Sequence, residues 1–358
     1  MQKRVLLIGA GITSGVIANK LSEFDINCTV VDKRDHIGGN CHTINTHGIT
    51  VHEYGVHIFH TDSDLVFVYI AGLTDINHVK YRVLSKVNDH LYSFPINLLT
   101  INQLFGITDP IKANEIINKQ VTREKLFDLF YSGYTMKQWG LNINQIDHSI
   151  IDRIPIRNTY NDTYFIDDKY EFVPDYNLLF DNLFSKSEII LNSDVKYKDL
   201  PNDYDVVVLT GSLDSFFGYP YGELPYRSLI FKHNIIKADY VQGAHVIHHP
   251  SMNVSYTRTI EHKLLLNEKS DYTIFTEEYP TNDPDNPYYP INNNNSKRLW
   301  IKYAILAKNS KIEIIPAGRL GLFEYIDMDQ AVLSGITTSW HILAKLGITK
   351  KDYSKHTT

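Results

Sequence analysis

Several kinds of residue are scarce in this chain, and each shortage excludes a class of protein. Only two of the 358 residues are cysteine, Cys28 and Cys41, too few for a disulfide framework. They suit a reducing compartment, and a cytoplasmic location is expected. Positive charge is not in excess: 35 Lys and Arg stand against 41 Asp and Glu, a net charge of −6. A nucleic-acid surface needs a basic stripe to neutralise phosphates, so no nucleic-acid partner is expected. No apolar run is long enough to span a bilayer. The first one, Val5 to Ala10, is broken by glycine within a few residues and reads as a strand, not a signal peptide. Tyrosine, by contrast, is abundant at 24 residues, and its flat apolar face and polar tip suit sugars and bases.

At this length two or three units folded around each other are expected. Val5-Leu6-Leu7-Ile8 has the continuous apolar character of a strand buried in a parallel sheet. A glycine turn follows, then an amphipathic helix from about Thr13 to Phe24 and a second strand, Cys28 to Val31. From Thr61 to about Asn144 the pattern reads as mainly helical. Asp205 to Leu209 and Ile312 to Ile315 return to the buried-strand type, while Tyr226 to Phe275 suggests antiparallel strands. Thr281 to Lys297, rich in Asn, Asp and Pro, reads as a long polar loop, and a last helix spans about Met328 to Leu346. The expected class is α/β: a discontinuous Rossmann-like domain (1–63, 188–225 and 305–358), an inserted helical domain (64–152), and an antiparallel sheet and substrate domain (153–187 and 226–304).

Gly9-Ala10-Gly11-Ile12-Thr13-Ser14-Gly15 sits between strand and helix, where a dinucleotide fingerprint belongs. Gly9 permits the tight turn, and Gly11 lets backbone approach a pyrophosphate at the helix N-terminus. Ser14 replaces the usual third glycine but is small enough for close helix–sheet packing. Asp32 ends the second strand, where a carboxylate accepts ribose hydroxyls. Lys33 and Asn40 then flank a second pair, Gly38-Gly39, which resembles the extended fingerprint of glutathione-reductase-type flavoproteins. Thr210-Gly211 and Gly318-Arg319, the latter leading to the last helix, fit the same order and favour FAD over NAD.

Three blocks carry a more specific resemblance: Tyr54-Gly55-Val56-His57-Ile58-Phe59-His60-Thr61, Gly133 to Gly140 containing Lys137-Gln138-Trp139, and Arg153-Ile154-Pro155-Ile156-Arg157. With Tyr226-Arg227-Ser228-Leu229, Tyr256 to Lys263, Pro287-Tyr288-Tyr289-Pro290 and Tyr325 to Asp329, they resemble the UDP-galactopyranose mutases over nearly the whole chain. The resemblance implies that reduced FAD is the nucleophile, its N5 attacking the anomeric carbon of a nucleotide sugar. It implies that Arg157 and Arg319 lie near the pyrophosphate and reaction centre, with Arg258 a third candidate. Tyr288, Tyr289 and Tyr325 match tyrosines lining the phosphate and sugar region; Phe130, Tyr134 and Trp139 match the aromatic wall for the base. His57 and His60 match the pair beside the flavin, and Gly318 and Met328 the approach to it. Asp327 either touches flavin or sugar or caps the last helix. A homodimer is one expected assembly. No metal is expected, since no carboxylate or cysteine pattern completes a site around His57 and His60.

The chain also departs from the family. Val56 stands where a small residue or proline is usual, and is expected to face the sugar. Tyr160 to Tyr176 reads as a sheet surface or a cleft loop, and the loop Tyr170 to Asn177 lacks the family's glycine pair. Glu277-Glu278 offers no base where many members carry one, which weakens the case for UDP-galactose, and an apolar Val56 would suit a 6-deoxy sugar on a deoxythymidine nucleotide as the alternative. A flavin oxidoreductase sharing the fold is the rival class; it would need an apolar substrate tunnel, whereas the Tyr, Trp and Arg set suits a charged, hydroxylated ligand.

Overall fold

The computed structural model describes residues 3–140, 142, 156–165 and 169–348. Its centre is a parallel five-stranded sheet in the order Glu188–Ile190, Cys28–Val31, Val5–Ile8, Val206–Leu209, Ile314–Pro316. Side chains alternate along a strand, so Val5, Leu7, Val206 and Val208 join one apolar layer while Leu6, Val207 and Leu209 join the other. On the first face the helix Ile12–Ser22 packs against Met328–Lys345. The two helices touch at Gly335, where a Cβ would stand 2.7 Å from the Cβ of Val16. On the second face lies the helix Asn294–Lys308, through Tyr303 and Ala307. Both faces are covered, as a parallel sheet requires.

A seven-stranded sheet holds Tyr289–Pro290, Tyr226–Ile236, Thr273–Thr281, Arg258–Glu261, Val246–His248, Val83–Val87 and His90–Phe94, in that order. It is antiparallel except where Val246–His248 runs parallel to Val83–Val87. Residues 83–94 are therefore sheet, not part of a helical unit as expected from sequence. Val83, Ser85 and Val87 alternate inward, and Asn88 and Asp89 turn the hairpin with φ of 48° and 62°, a conformation these two residue types tolerate. Among the described residues of that region, helices are confined to Asp64–Ala71 and to the stretch from Leu98 to Trp139.

Two further expectations change. Tyr170–Pro174 is the middle strand of a three-stranded sheet, between Phe59–Thr61 and Ile76–His78, rather than a loop. Asp175 then caps the helix Tyr176–Leu183, accepting from Leu178 N at 3.1 Å. The polar tract after Thr281 ends earlier than expected, because Asn293 and Ser296 form a capping box that starts the helix Asn294–Lys308. Arg153, Ile154 and Pro155 of the arginine block lie outside the described residues.

Candidate active site

The parallel strands end in a cleft, the usual ligand position in open α/β sheets. Gly9 turns the chain with φ 108°, and a Cβ there would lie 2.2 Å from the Thr210 hydroxyl. Gly11 starts the first helix without a side-chain cap, so the leading N–H groups stay available to an anion. The second glycine pair folds over this turn: Gly38 N donates to Ala10 O at 2.9 Å, and a Cβ on Gly39 would stand 3.0 Å from Gly11 Cα. The Asp32 carboxylate accepts from Ala10 N at 2.6 Å and Arg34 N at 2.8 Å, which orients it at the cleft wall. Met328–Lys345 brings a second helix N-terminus to the same cleft, at Asp327.

Gly9, Gly11, Asp32, Lys33, Gly38, Gly39, Asn40, His57, Gly318, Asp327 and Met328, the residues expected to hold the cofactor, all line this cleft. Glycine clearance, two helix N-termini and an oriented carboxylate fit the phosphates and ribose of a dinucleotide. Two parts of the wall carry no sequence signal. Ser193 to Lys196 arrives through the pairing of Glu188–Ile190 with Cys28–Val31. Pro284 to Asn286 comes from the polar tract, and Lys33 Nζ donates to Asp285 O.

Arg319 and Tyr288 belong both to the cleft wall and to a cluster of rings beyond it. The Arg319 guanidinium carbon lies 5.4 Å from the Tyr325 ring, 5.5 Å from Tyr289 and 6.0 Å from Tyr288. Its Nε and Nη2 donate to Ile326 O at 3.0 and 2.6 Å, which fixes the fork. Trp139 completes the cluster, 6.0 Å from both Tyr289 and Tyr325. Burial pushes the Tyr288 and Tyr289 phenols up, so both remain protonated and can donate.

Trp139 is positioned by its own sequence block. Lys137 Nζ donates to the carbonyls of His249, Ser251, Val254 and Tyr256 at 2.6, 2.9, 3.2 and 2.8 Å. Arg227 donates to two carbonyls at the end of the helix Gly133–Trp139, Lys137 O at 2.9 Å and Gln138 O at 2.8 Å. Gly140 closes that helix at φ 64°, where a Cβ would stand 2.8 Å from Arg227 Nη1. Lys137, Arg227 and Gly140 thus act together to hold the helix end that carries the indole.

The remaining expected residues separate. Phe130 is fully buried, edge-on to Tyr92 in the main core, and Tyr134 stacks on His248 at 4.7 Å. Phe130, Tyr134 and Trp139 do not form one wall: Phe130 and Trp139 are so spaced that even a regular helix would set them on opposite sides, and Phe130 joins the main core while Trp139 joins the ring cluster. The Arg157 guanidinium donates to the carbonyls of Asn161, Thr163 and Tyr164, bracing its own loop. Arg258 forms an ion pair with the fully buried Glu278, its Nε at 3.0 Å and Nη2 at 2.5 Å. His60 stacks on Phe165 at 3.8 Å, apart from the cleft lining that His57 joins. Val56 packs against the main apolar core and is not among the lining residues. Glu277 pairs with Lys232 at 3.5 Å and accepts from the Tyr279 hydroxyl at 3.1 Å.

Known proteins with this architecture narrow its meaning. The UDP-galactopyranose mutase profile matches residues 129–325, and an NAD(P)-binding Rossmann-like domain profile matches 7–73. A Klebsiella pneumoniae protein named "Probable UDP-galactopyranose mutase" is 34% identical over 96% of this chain and 96% of its own. The Escherichia coli dTDP-fucopyranose mutase is 32% identical over 93% of this chain and 96% of its own. A crystal structure of reduced UDP-galactopyranose mutase superposes with a TM-score of 0.73 at 14% identity, covering 98% of this chain and 97% of that one. The match in sequence runs through the cleft, the arginines and the ring cluster alike, and the chain belongs to the UDP-galactopyranose mutase family of flavin-dependent isomerases.

Proposed function

We propose that the chain binds FAD without a covalent link and interconverts UDP-galactopyranose and UDP-galactofuranose. The observation that carries this reading is the sharing of Arg319 and Tyr288 between the cofactor cleft and the ring cluster. A ligand resting on those rings touches the same residues as the cofactor. When bound and reduced, the flavin supplies a nucleophilic N5 for the anomeric carbon. The protein's part is position and charge. Arg319 meets the negative charge that grows on the departing diphosphate, while the Tyr288, Tyr289 and Tyr325 hydroxyls and the Trp139 indole suit a hydroxylated, aromatic-bearing substrate. Its furanose product would serve polysaccharide synthesis. Cys28 and Cys41 are free and buried, with their thiols pushed up to about 12, which suits the reducing cytosol where we place the reaction. Among the described residues no helix is long and apolar enough to cross a membrane. A homodimer remains the assembly we propose.

A 6-deoxy sugar on deoxythymidine diphosphate is the second reading, favoured by the similarity to the dTDP-fucopyranose mutase. Competition between UDP-galactofuranose and dTDP-fucofuranose on the dithionite-reduced enzyme separates the two. UDP-galactofuranose is expected to have the higher kcat/KM. A pocket that lacks a partner for one hydroxyl discriminates only weakly, about 10–200-fold, so the other sugar should still react. Preference for dTDP-fucofuranose would establish the second reading, and failure of both sugars would refute the proposed activity.

A further inference from the structure

One short turn, His52 to His57, delivers His57 to the cofactor cleft, and beyond the backbone bond from Glu53 N to His42 O it is held by side chains. His57 N donates to His52 Nδ1 at 3.1 Å, and the Tyr176 hydroxyl donates to His57 O at 2.9 Å. The Tyr288 hydroxyl donates to Tyr54 O at 2.8 Å and lies 3.2 Å from His57 Nε2, while His57 Nδ1 lies 2.7 Å from Gly55 O. His52 N donates to His262 Nδ1 at 3.3 Å. His262 Nε2 meets Thr276 Oγ1 at 2.9 Å, which meets His233 Nδ1 at 2.7 Å, and His233 Nε2 returns to Glu53 O at 3.1 Å. The path leaves the turn at residue 52 and comes back to it at residue 53.

Proton positions along this path follow from its ends. A backbone N–H can only donate, so His262 Nδ1 is bare and Nε2 carries the proton. Thr276 accepts that proton's bond and donates its own to His233 Nδ1. His233 then holds its proton on Nε2, facing a carbonyl that can only accept. By the same rule His52 accepts at Nδ1 from His57 N, and His57 carries its proton on Nδ1, facing Gly55 O. All four rings are neutral, and burial works in that direction: it pushes His52 down to about 4 and His57 to about 3. His52 is 1% exposed, and His262 and Thr276 are fully buried, so water cannot substitute for a lost link. The turn has no slack either, since Gly55 sits at φ 84° and a Cβ there would stand 2.8 Å from the Phe231 ring.

We infer that His52 is a positioning residue for the reaction: with His262, Thr276 and His233 it ties the sheet to the turn and sets the place of His57 beside the flavin. This rests on the reading that the cleft holds flavin, but not on which sugar reacts.

The test uses the flavin-loaded enzyme and the variants His52→Leu, His52→Asn and Thr276→Val. Leucine removes the acceptor for His57 N, whereas asparagine places Oδ1 where imidazole has Nδ1. His52→Leu is expected to alter the visible absorption band of the bound flavin. It should also lower kcat at least about tenfold, towards the roughly hundredfold cost of a 1 Å misplacement, with KM nearly unchanged. His52→Asn should restore both the band and most of kcat. Thr276→Val, which cuts the path between His262 and His233, should move both readouts in the same direction as leucine. If asparagine and leucine behave alike, His52 is only a packing residue and the inference fails. Should His52→Leu not fold, Thr276→Val decides: an unchanged flavin band and kcat overturn the inference. A wild-type chain that binds no flavin would instead refute the cofactor assignment.

Discussion

Arg319→Ala is expected to lower kcat by about a hundredfold or more, 2.7–4 kcal/mol of transition-state stabilisation, with flavin still bound. Three arginines were candidates for meeting the diphosphate, and their surroundings distinguish them. Arg258 has its charge neutralised by Glu278, and the Arg157 guanidinium donates to carbonyls of its own loop. Among the described residues Arg319 has no carboxylate within ion-pair distance, and it stands among the rings of Tyr288, Tyr289 and Tyr325. Two of its donors are held by Ile326 O, so the fork arrives already oriented. Preorganised charge in a shielded site contributes most where charge develops, so the loss should fall on kcat rather than on KM. Lysine keeps the charge but loses the planar fork, and Arg319→Lys should fall between. Steady-state kinetics on variants with matched flavin content checks this. Retention of near wild-type kcat by the alanine variant would reduce Arg319 to a structural tie for Ile326.

Glu278→Ala should have the largest effect on stability, about 3–5 kcal/mol, because it leaves a buried guanidinium uncompensated. Glu278 is fully buried and the Arg258 side chain is 19% exposed, so solvent can rescue the orphaned charge only in part. The Thr257 hydroxyl also loses a contact, at 3.4 Å from the carboxylate. Removing both charges, as Glu278→Ala with Arg258→Met, should cost less than Glu278→Ala alone, since no unpaired cation then remains. Urea unfolding at equal flavin saturation measures all three proteins. A loss below about 1 kcal/mol for the single variant is the size of an exposed pair and would contradict this account.

The cofactor cleft was legible in the sequence because its demands are local. A turn with φ near 108° at Gly9, or a backbone crossing as close as Gly39 over Gly11, excludes any side chain whatever surrounds it. The block ending in Gly140 was legible for a similar reason, since its positive φ and its contact with Arg227 tie residue type to geometry. What stayed hidden depends on tertiary context. Phe130 lies in the core edge-on to Tyr92 and not beside Trp139, a packing that the spacing of the aromatics does not reveal. The hairpin Val83 to Phe94 is too short to outweigh the helical pattern after Leu98, although Asn88-Asp89 carries a turn signal. The arginines look alike in a sequence. Only the neighbours show that Glu278 neutralises Arg258 and that Arg319 stands among the rings.

The most direct test of the flavin chemistry compares one preparation in two redox states. Purified enzyme is incubated with UDP-galactofuranose, either oxidised in air or reduced with dithionite under anaerobic conditions, and ring isomers are resolved by chromatography while flavin absorbance is followed. The account predicts UDP-galactopyranose formation only in the reduced sample, over many turnovers, with the flavin remaining reduced and no net consumption of reductant. Equal turnover by the oxidised enzyme, or one equivalent of reductant consumed per product, would contradict it.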